Sequence, residues 1–368
     1  MFGDITLPAV YGRDSASGKM VMPLREALGL HGHQPMSPVL EDRLCHLAIT
    51  ATSYERAAEV ARRFGISTDD SQIQRLVQRV GEKAEAQSQK RIVAAFTPGG
   101  RKRIAGSALH DCPDGEFSLA LMLDGTMLRL RGEEWGMKPA SRPGERVAWH
   151  ELKAGLVMRL PESSAEKADK YYVATSGGPE DVGRALYAEA LRRGLRQAKR
   201  VYVIADGAVW IWRLAEEYFP EAEGELDFYH ASEHLWALAR DLWSDEAEAR
   251  EWVVPLLKHL KRRGGNDLVP MLEELLDLSE AEWEEDERRV LRREAAYFRK
   301  HSSRLCYPKA KRHGFPLGSG AMESACSQLQ GRFKRTGQFW SRTGERNLLA
   351  LELAWRNGDW SEIWAMGA

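Results

Sequence analysis

The stretch RVYVIADGAVWIWRLAEEYF, residues 200–219, constrains the fold more than any other part of the chain. Its apolar run VYVIA, with a charged residue before it and an acid after it, has the length of a strand buried on both faces. The residues beyond that acid have the length and period of a helix. An acid at the carboxyl end of such a strand stands where open α/β sheets present groups to a ligand. GELDFYHASEHLWALARDLW (224–243) repeats the strand-to-helix step. Upstream, EFSLALMLDG, TMLRLRG, ELKAGLVMRL and KYYVATS are strand candidates, and DVGRALYAEALRRGLRQA is a helix between them and residue 200. The pair Asp124-Gly125 reads as a hairpin turn or a tight strand pair. Several strands followed by helix–strand–helix–strand–helix make an α/β layer architecture.

The rest of the chain fits around that core. Residues 38–96 have helical periodicity, and AAEVARRFGISTDDSQIQRLVQRV has the helix, glycine turn and second helix of a helix-turn-helix. Asp69 and Asp70 suit a helix N-terminus but are poor neighbours for phosphate. A plain helical hairpin is the alternative reading. TPGGRKRIAG begins a basic linker at 97–115, and residues 1–37 read as an irregular segment. Between 241 and 290 fifteen acids face seven Lys or Arg, in long helical runs. From Arg299 to Arg342 there are ten Lys or Arg and one acid, Glu323. Such segregation suggests a helical insertion at 238–315 beside a polyanion-facing segment, although solvated helix faces of both signs give the same pattern. The core then comprises 116–237 and 316–368.

Composition excludes some classes. A net charge of −1 is unlike a histone-type binder, although local fields act over about 10 Å. The four cysteines are scattered without a CxxC pair, which gives neither a disulfide framework nor a zinc ribbon and fits a reducing cytoplasm. No apolar run is long enough to span a membrane, and the N-terminus lacks the pattern of a signal peptide.

Three acids stand out: Asp124 after LALML, Asp206 after VYVIA, and Glu323 on a helix that begins at GSG. On that helix Glu323, Ser327, Gln330 and Lys334 share one face, and Met322, Cys326, Leu329 and Phe333 share an apolar one. Each acid also has a structural reading, as a turn residue, a helix cap and a first-turn acid. Together, three carboxylates from separate parts of one sheet can hold two Mg²⁺ or Mn²⁺ ions about 4 Å apart for in-line displacement at phosphate. The basic residues near Glu323 would offset phosphate charge.

DGTMLRLRGEEW, IADGAVWIWRLAEEYFP, DFYHASEHLW and GSGAMESACSQLQGRFKRTGQFWSRTGERNLLALELAWRNGDW resemble the ISKra-type insertion-sequence transposases, relatives of the Mutator-like DDE transposases. The resemblance covers about 116–360 and extends more weakly through MPLREALGL and SYERAAEVARRFG. It implies a ribonuclease-H-like mixed sheet with helices on both faces, an all-helical insertion, and a metal triad of Asp124, Asp206 and Glu323. It also implies an accessory pair, Asp227 and His230, with His230 assisting the chemistry or the DNA contact. Some relatives carry a Cys-containing zinc ribbon near the N-terminus; YGRDSASGKMVM has no cysteine, and no zinc is expected.

The resulting expectation is a DNA transposase that cuts at terminal inverted repeats and joins the 3′-OH to target DNA. It would act as a homodimer in the cytoplasm, with no membrane partner. Lys334, Arg335, Arg332, Lys311, Arg312, Arg101 and Lys102 are candidates for DNA contact, and Trp340 for stacking or packing. The rivals are a transposase-derived DNA binder without catalysis, a nuclease that cuts without joining, and a zinc protease built on H-x-x-E-H at His230, Glu233 and His234.

Overall fold

The computed structural model describes residues 8, 10–28, 30, 36–111, 116–132, 147–162, 167–282 and 284–365. In the described part of the N-terminal segment, Gly12–Arg13 pairs with Met20–Val21 around a turn closed by Asp14. Helix α1 (Pro38–Thr50) starts at Ser37, whose hydroxyl accepts from the Leu40 amide, with Pro38 in the first turn. Helix α2 (Tyr54–Arg63) is capped by Ser53. Gly65, at φ 79°, turns the chain toward α3 (Asp70–Ala95), where Asp69 accepts from the Gln72 amide. The acids at 69 and 70 therefore serve the start of α3.

Most of the described part of the segment expected as linker, 97–115, is helical: α4 runs Pro98–Asp111. Its Ala105 joins Ala95 and the next helix's Ala188 and Leu191 in a small core with Phe96 and Tyr187, so it is packed structure. Proline at the first position needs no amide partner, and burial of Ala105 and Ile104 outweighs the cost of the glycines.

The sheet strands are β1 (Phe117–Arg131), β2 (Val147–Pro161), β3 (Asp169–Thr175), β4 (Val201–Ala205) and β5 (Glu223–Leu226). Their spatial order is β3-β2-β1-β4-β5. β3 runs antiparallel to β2, whereas β4 runs parallel to both β1 and β5. This order and mix of directions make the fold a ribonuclease-H-like α/β core. The hairpin reading of Asp124-Gly125 is corrected: β1 continues through the pair, and neither residue has the positive φ that a type I′ turn requires. Every residue from Phe117 to Leu123 is buried, so both faces of β1 are covered.

Helices α5 (Pro179–Arg192), α6 (Val209–Tyr218) and α7 (Phe228–Leu242) frame β4 and β5. From there to the Glu323 helix the described chain is helical: α8 (Glu246–Arg263), α9 (Leu268–Glu282), α10 (Glu285–Lys300) and α11 (Tyr307–Arg312), with a 3-10 turn at Ser302–Arg304. Leu256, Leu260, Leu272, Leu291 and Phe298 share one core with Leu121, Val203 and Leu235. The insertion is thus an extension of the sheet's own core. Its amphipathic helices have to bury one face, and the nearest apolar surface is α7 and the sheet. Helices α12 (Gly320–Phe333), α13 (Arg342–Arg356) and α14 (Trp360–Ala365) complete the chain's described part.

Two compact units emerge, Met1–Lys90, Met127–His150 and Gln328–Ala368 in one, Arg91–Thr126 and Glu151–Ser327 in the other. The C-terminal helices, assigned from sequence to the catalytic core, belong with α1–α3. Gly81 of α3 shows why: a Cβ there would lie 2.3 Å from the Asn347 carbonyl oxygen, so only glycine permits this approach of α13. Among the described residues no helix is long and apolar enough to cross a membrane.

Candidate active site

The three acids singled out from the sequence converge in the second unit. Leu119 pairs with Val201 and Met122 with Ile204. The same register carried forward sets Asp124 opposite Asp206 on adjacent parallel strands, whose spacing is about 4.8 Å. Asp124 Oδ1 accepts the Gly125 amide at 2.6 Å, and the Cys326 thiol donates to the same carboxylate. Burial raises the Asp124 pKa above the ordinary range, the charges of Asp206 and Glu323 add to the rise, and the Gly125 and Cys326 hydrogen bonds oppose it. The charges of Asp206 and of Glu323 thus both reach Asp124.

Asp206 directly follows β4 and also stabilises the start of α6. Its Oδ1 accepts from the Ala208 amide at 2.9 Å, and its backbone carbonyl accepts from Trp212 Nε1 at 2.7 Å. The helix-start reading therefore holds, and this contact uses one of the two carboxylate oxygens. Glu323 lies exposed in the first turn of α12, with Ser319 Oγ 3.5 Å from its Oε1. Met322, Cys326, Leu329 and Phe333 are all buried, as the helical wheel requires.

Asp227 explains how α12 is held. It is 2% exposed and occupies the row of strand ends next to Asp206, since Ala205 pairs with Leu226. Its Oδ1 caps α7 through the amides of Tyr229 and His230, and its Oδ2 accepts from both the amide and the hydroxyl of Ser319. Gly318 is buried beneath the Tyr229 ring, where a Cβ would come within 2.5 Å of Cδ2. The GSG sequence thus admits the aromatic ring and supplies the clamp for the helix that carries Glu323.

His230 is half-buried, with its ring 4.8 Å from that of His234 and 6.3 Å from that of Tyr297. His234 stacks on Tyr297 at 3.9 Å, and its Nδ1 meets the buried Glu294 at 2.7 Å. Burial works to raise the Glu294 pKa, but hydrogen bonds from His234 and Arg293 outweigh it and hold the group ionised. His234 of the H-x-x-E-H motif is therefore engaged in joining α7 to α10.

Of the residues proposed for DNA contact, Lys334, Arg335, Lys311, Arg312 and Lys102 are exposed and Arg101 is half-buried. Arg332 is not available. It is 6% exposed, donates to the carbonyls of Ala48 and Thr52, and packs against Tyr54 and Trp340. Trp340 is likewise a packing group, 8% exposed with Nε1 donating to the Phe333 carbonyl at 2.9 Å. Periodicity placed Cys326 on the apolar face but gave no sign of its bond to Asp124. The Ser319 clamp had one signal, a serine between glycines just before the helix.

An oxygen-only donor set suits hard divalent ions such as Mg²⁺ or Mn²⁺. Among the described residues no group of three or more His, Cys, Asp or Glu side chains is arranged to hold a metal ion as it stands. The three acids match such an ion in donor chemistry alone.

The model of an uncharacterised protein family (UPF0236) matches residues 1–98. The region matched lies N-terminal to all three acids. A search of curated proteins gives no match.

Proposed function

We propose that the chain is a metal-dependent DNA transposase of the DDE type. The observation that carries this reading is the placement of Asp124, Asp206 and Glu323 in one compact unit with the ribonuclease-H-like sheet, where burial raises the Asp124 pKa and the charges of Asp206 and Glu323 add to the rise. These three would hold two Mg²⁺ or Mn²⁺ ions, which when bound supply activation of the attacking oxygen and stabilisation of the leaving one. The chain's own residues do the rest. Gly125 and Cys326 orient the Asp124 carboxylate, Asp227 and Ser319 fix the helix carrying Glu323, and the exposed Lys334 and Arg335 would offset phosphate charge. Water would attack first at an element end, and the released 3′-OH would then attack target DNA. The two ends call for two copies of the chain.

The test is incubation of the full-length protein with DNA carrying the ends that flank its reading frame, with Mg²⁺, beside Glu323→Gln. Cleaved and joined products are expected from the wild type. Glu323→Gln should lose more than the roughly 10- to 100-fold that even outer-shell changes cost a metal site. Equal activity in the variant, or activity that survives chelation of divalent ions, would overturn the mechanism. Binding to the ends with no cleavage under any divalent ion would leave a transposase-derived DNA binder as the better account.

A further inference from the structure

Trp149, the third residue of β2, has 54% of its surface exposed, unusual for so large an apolar ring. Two cations from distant parts of the chain flank it. The Arg129 guanidinium carbon is 5.8 Å from the ring centroid, and Lys334 Nζ is 5.4 Å from it. Both lie within the range at which a cation is drawn to an indole face. The placement is built by the backbone: Trp340 N donates to the Arg129 carbonyl at 3.0 Å and Arg131 N to the Trp340 carbonyl at 2.8 Å. That bridge fixes the segment following α12 along the outer end of β1. There the strand alternates cleanly, with Thr126, Leu128 and Leu130 buried and Met127, Arg129 and Arg131 turned outward. No acid occurs in 127–131 or 332–342. Glu151, two residues beyond Trp149, is paired with Lys153 at 2.7 Å.

We propose that Trp149, with Arg129 and Lys334, is a stacking platform for an unpaired base of single-stranded DNA. A flat ring that accepts any base, flanked by cations for the adjoining phosphates, is the chemistry by which single strands are held without reading sequence. A base on the ring face displaces a cation toward its own phosphate, so one site serves both contacts. Duplex DNA keeps its bases stacked on each other and gains only the phosphate contacts. The inference rests on the DNA reading above and assigns to Trp149 the stacking role that the buried Trp340 is unable to fill.

The test measures binding of the full-length protein to a short oligothymidine strand and to duplex DNA of the same length, across a series of salt concentrations. Trp149→Ala is expected to weaken single-strand binding roughly 5- to 150-fold, with the duplex affinity and the salt slope unchanged. Trp149→Phe should retain most of the affinity, which separates a lost ring from a disturbed strand. Lys334→Ala should instead lower the single-strand salt slope by about 0.7. Single-strand affinity of Trp149→Ala equal to wild type, or an equal loss for single strand and duplex, overturns the platform while the DNA reading stands. A wild type that binds neither DNA form overturns both.

Discussion

Glu225 on β5 is 1% exposed, and neither carboxyl oxygen has a hydrogen-bond partner among the described residues. Burial, reinforced by the charges of Asp227 and Glu223, raises its pKa from 4.5 to about 8. An acid with a raised pKa holds its proton in the folded state after the unfolded chain has lost it. The stabilising contribution of this group is therefore complete below about pH 4.5 and is lost as pH rises toward 8, by up to about 1.4 kcal/mol per pH unit. Glu225→Gln removes the titration but leaves an amide with its own unpaired atoms, so the sign of its effect at one pH is not diagnostic. The slope is. Thermal unfolding of both proteins should show the Tm of Glu225→Gln rising relative to wild type by several degrees, on the order of 2–4 °C per kcal/mol, between pH 5 and 8. A difference that stays flat over that range would mean that Glu225 is not a buried neutral acid. The alternation of Glu223, Glu225 and Asp227 was visible in the sequence as acids on one strand face. Which of them the packing would strip of partners was not, because Lys309 reaches Glu223 and Ser319 reaches Asp227 from far along the chain.

At the scale of elements, Asp227 is the joint between α7 and α12. Four donors converge on one carboxylate, two amides from the start of α7 and two groups from Ser319. Loss of a helix cap costs about 0.5–2 kcal/mol, and each buried donor left unpaired adds about 1–3 kcal/mol. Asp227→Ala should thus destabilise the protein by about 3 kcal/mol, and Ser319→Ala by about 1 kcal/mol. Urea denaturation of the two single variants and the double variant should give non-additive losses, because both remove the same contact. Strict additivity would show that the clamp is not a coupled unit. Much at this scale was legible. The strands of β1, β4 and β5, the all-helical insertion and the apolar face of α12 could be read from period and length. The Asp124-Gly125 pair misled because its dipeptide preference for turns is local, whereas pairing with the neighbouring strands extends β1 through it. The glycines of 97–106 misled likewise, since a few buried apolar side chains were enough to make a helix of a linker-like sequence.

For the whole molecule, the decisive feature is where the chain passes from one compact unit to the other. The four passages, after residues 90, 126, 150 and 327, fall inside α3, β1, β2 and α12, each a continuous helix or strand. A boundary of that kind has no composition signal, which is why composition alone pointed to the linker-like stretch after residue 96. Nor is α1–α3 a self-contained domain. Their apolar residues Leu44, Ile73, Val77 and Val80 are buried in a unit that also contains Leu348, Leu351 and Ile363. Polar contacts tie the same parts together: Arg332 to the carbonyls of Ala48 and Thr52, Asn347 Nδ2 to the Gln78 carbonyl at 3.0 Å, and Trp360 Nε1 to Asp42. Three helices that lose these partners expose an apolar face and leave carbonyls without donors, and short helices owe most of their stability to such packing. A fragment of residues 1–96 should therefore lack a cooperative thermal transition and show weak helical circular dichroism. Addition of a peptide spanning 328–368 should increase the helical signal beyond the sum of the two parts. A fragment that unfolds cooperatively by itself, with a Tm close to that of the full chain, would establish the N-terminal helices as an independent domain and remove the C-terminal helices from their core.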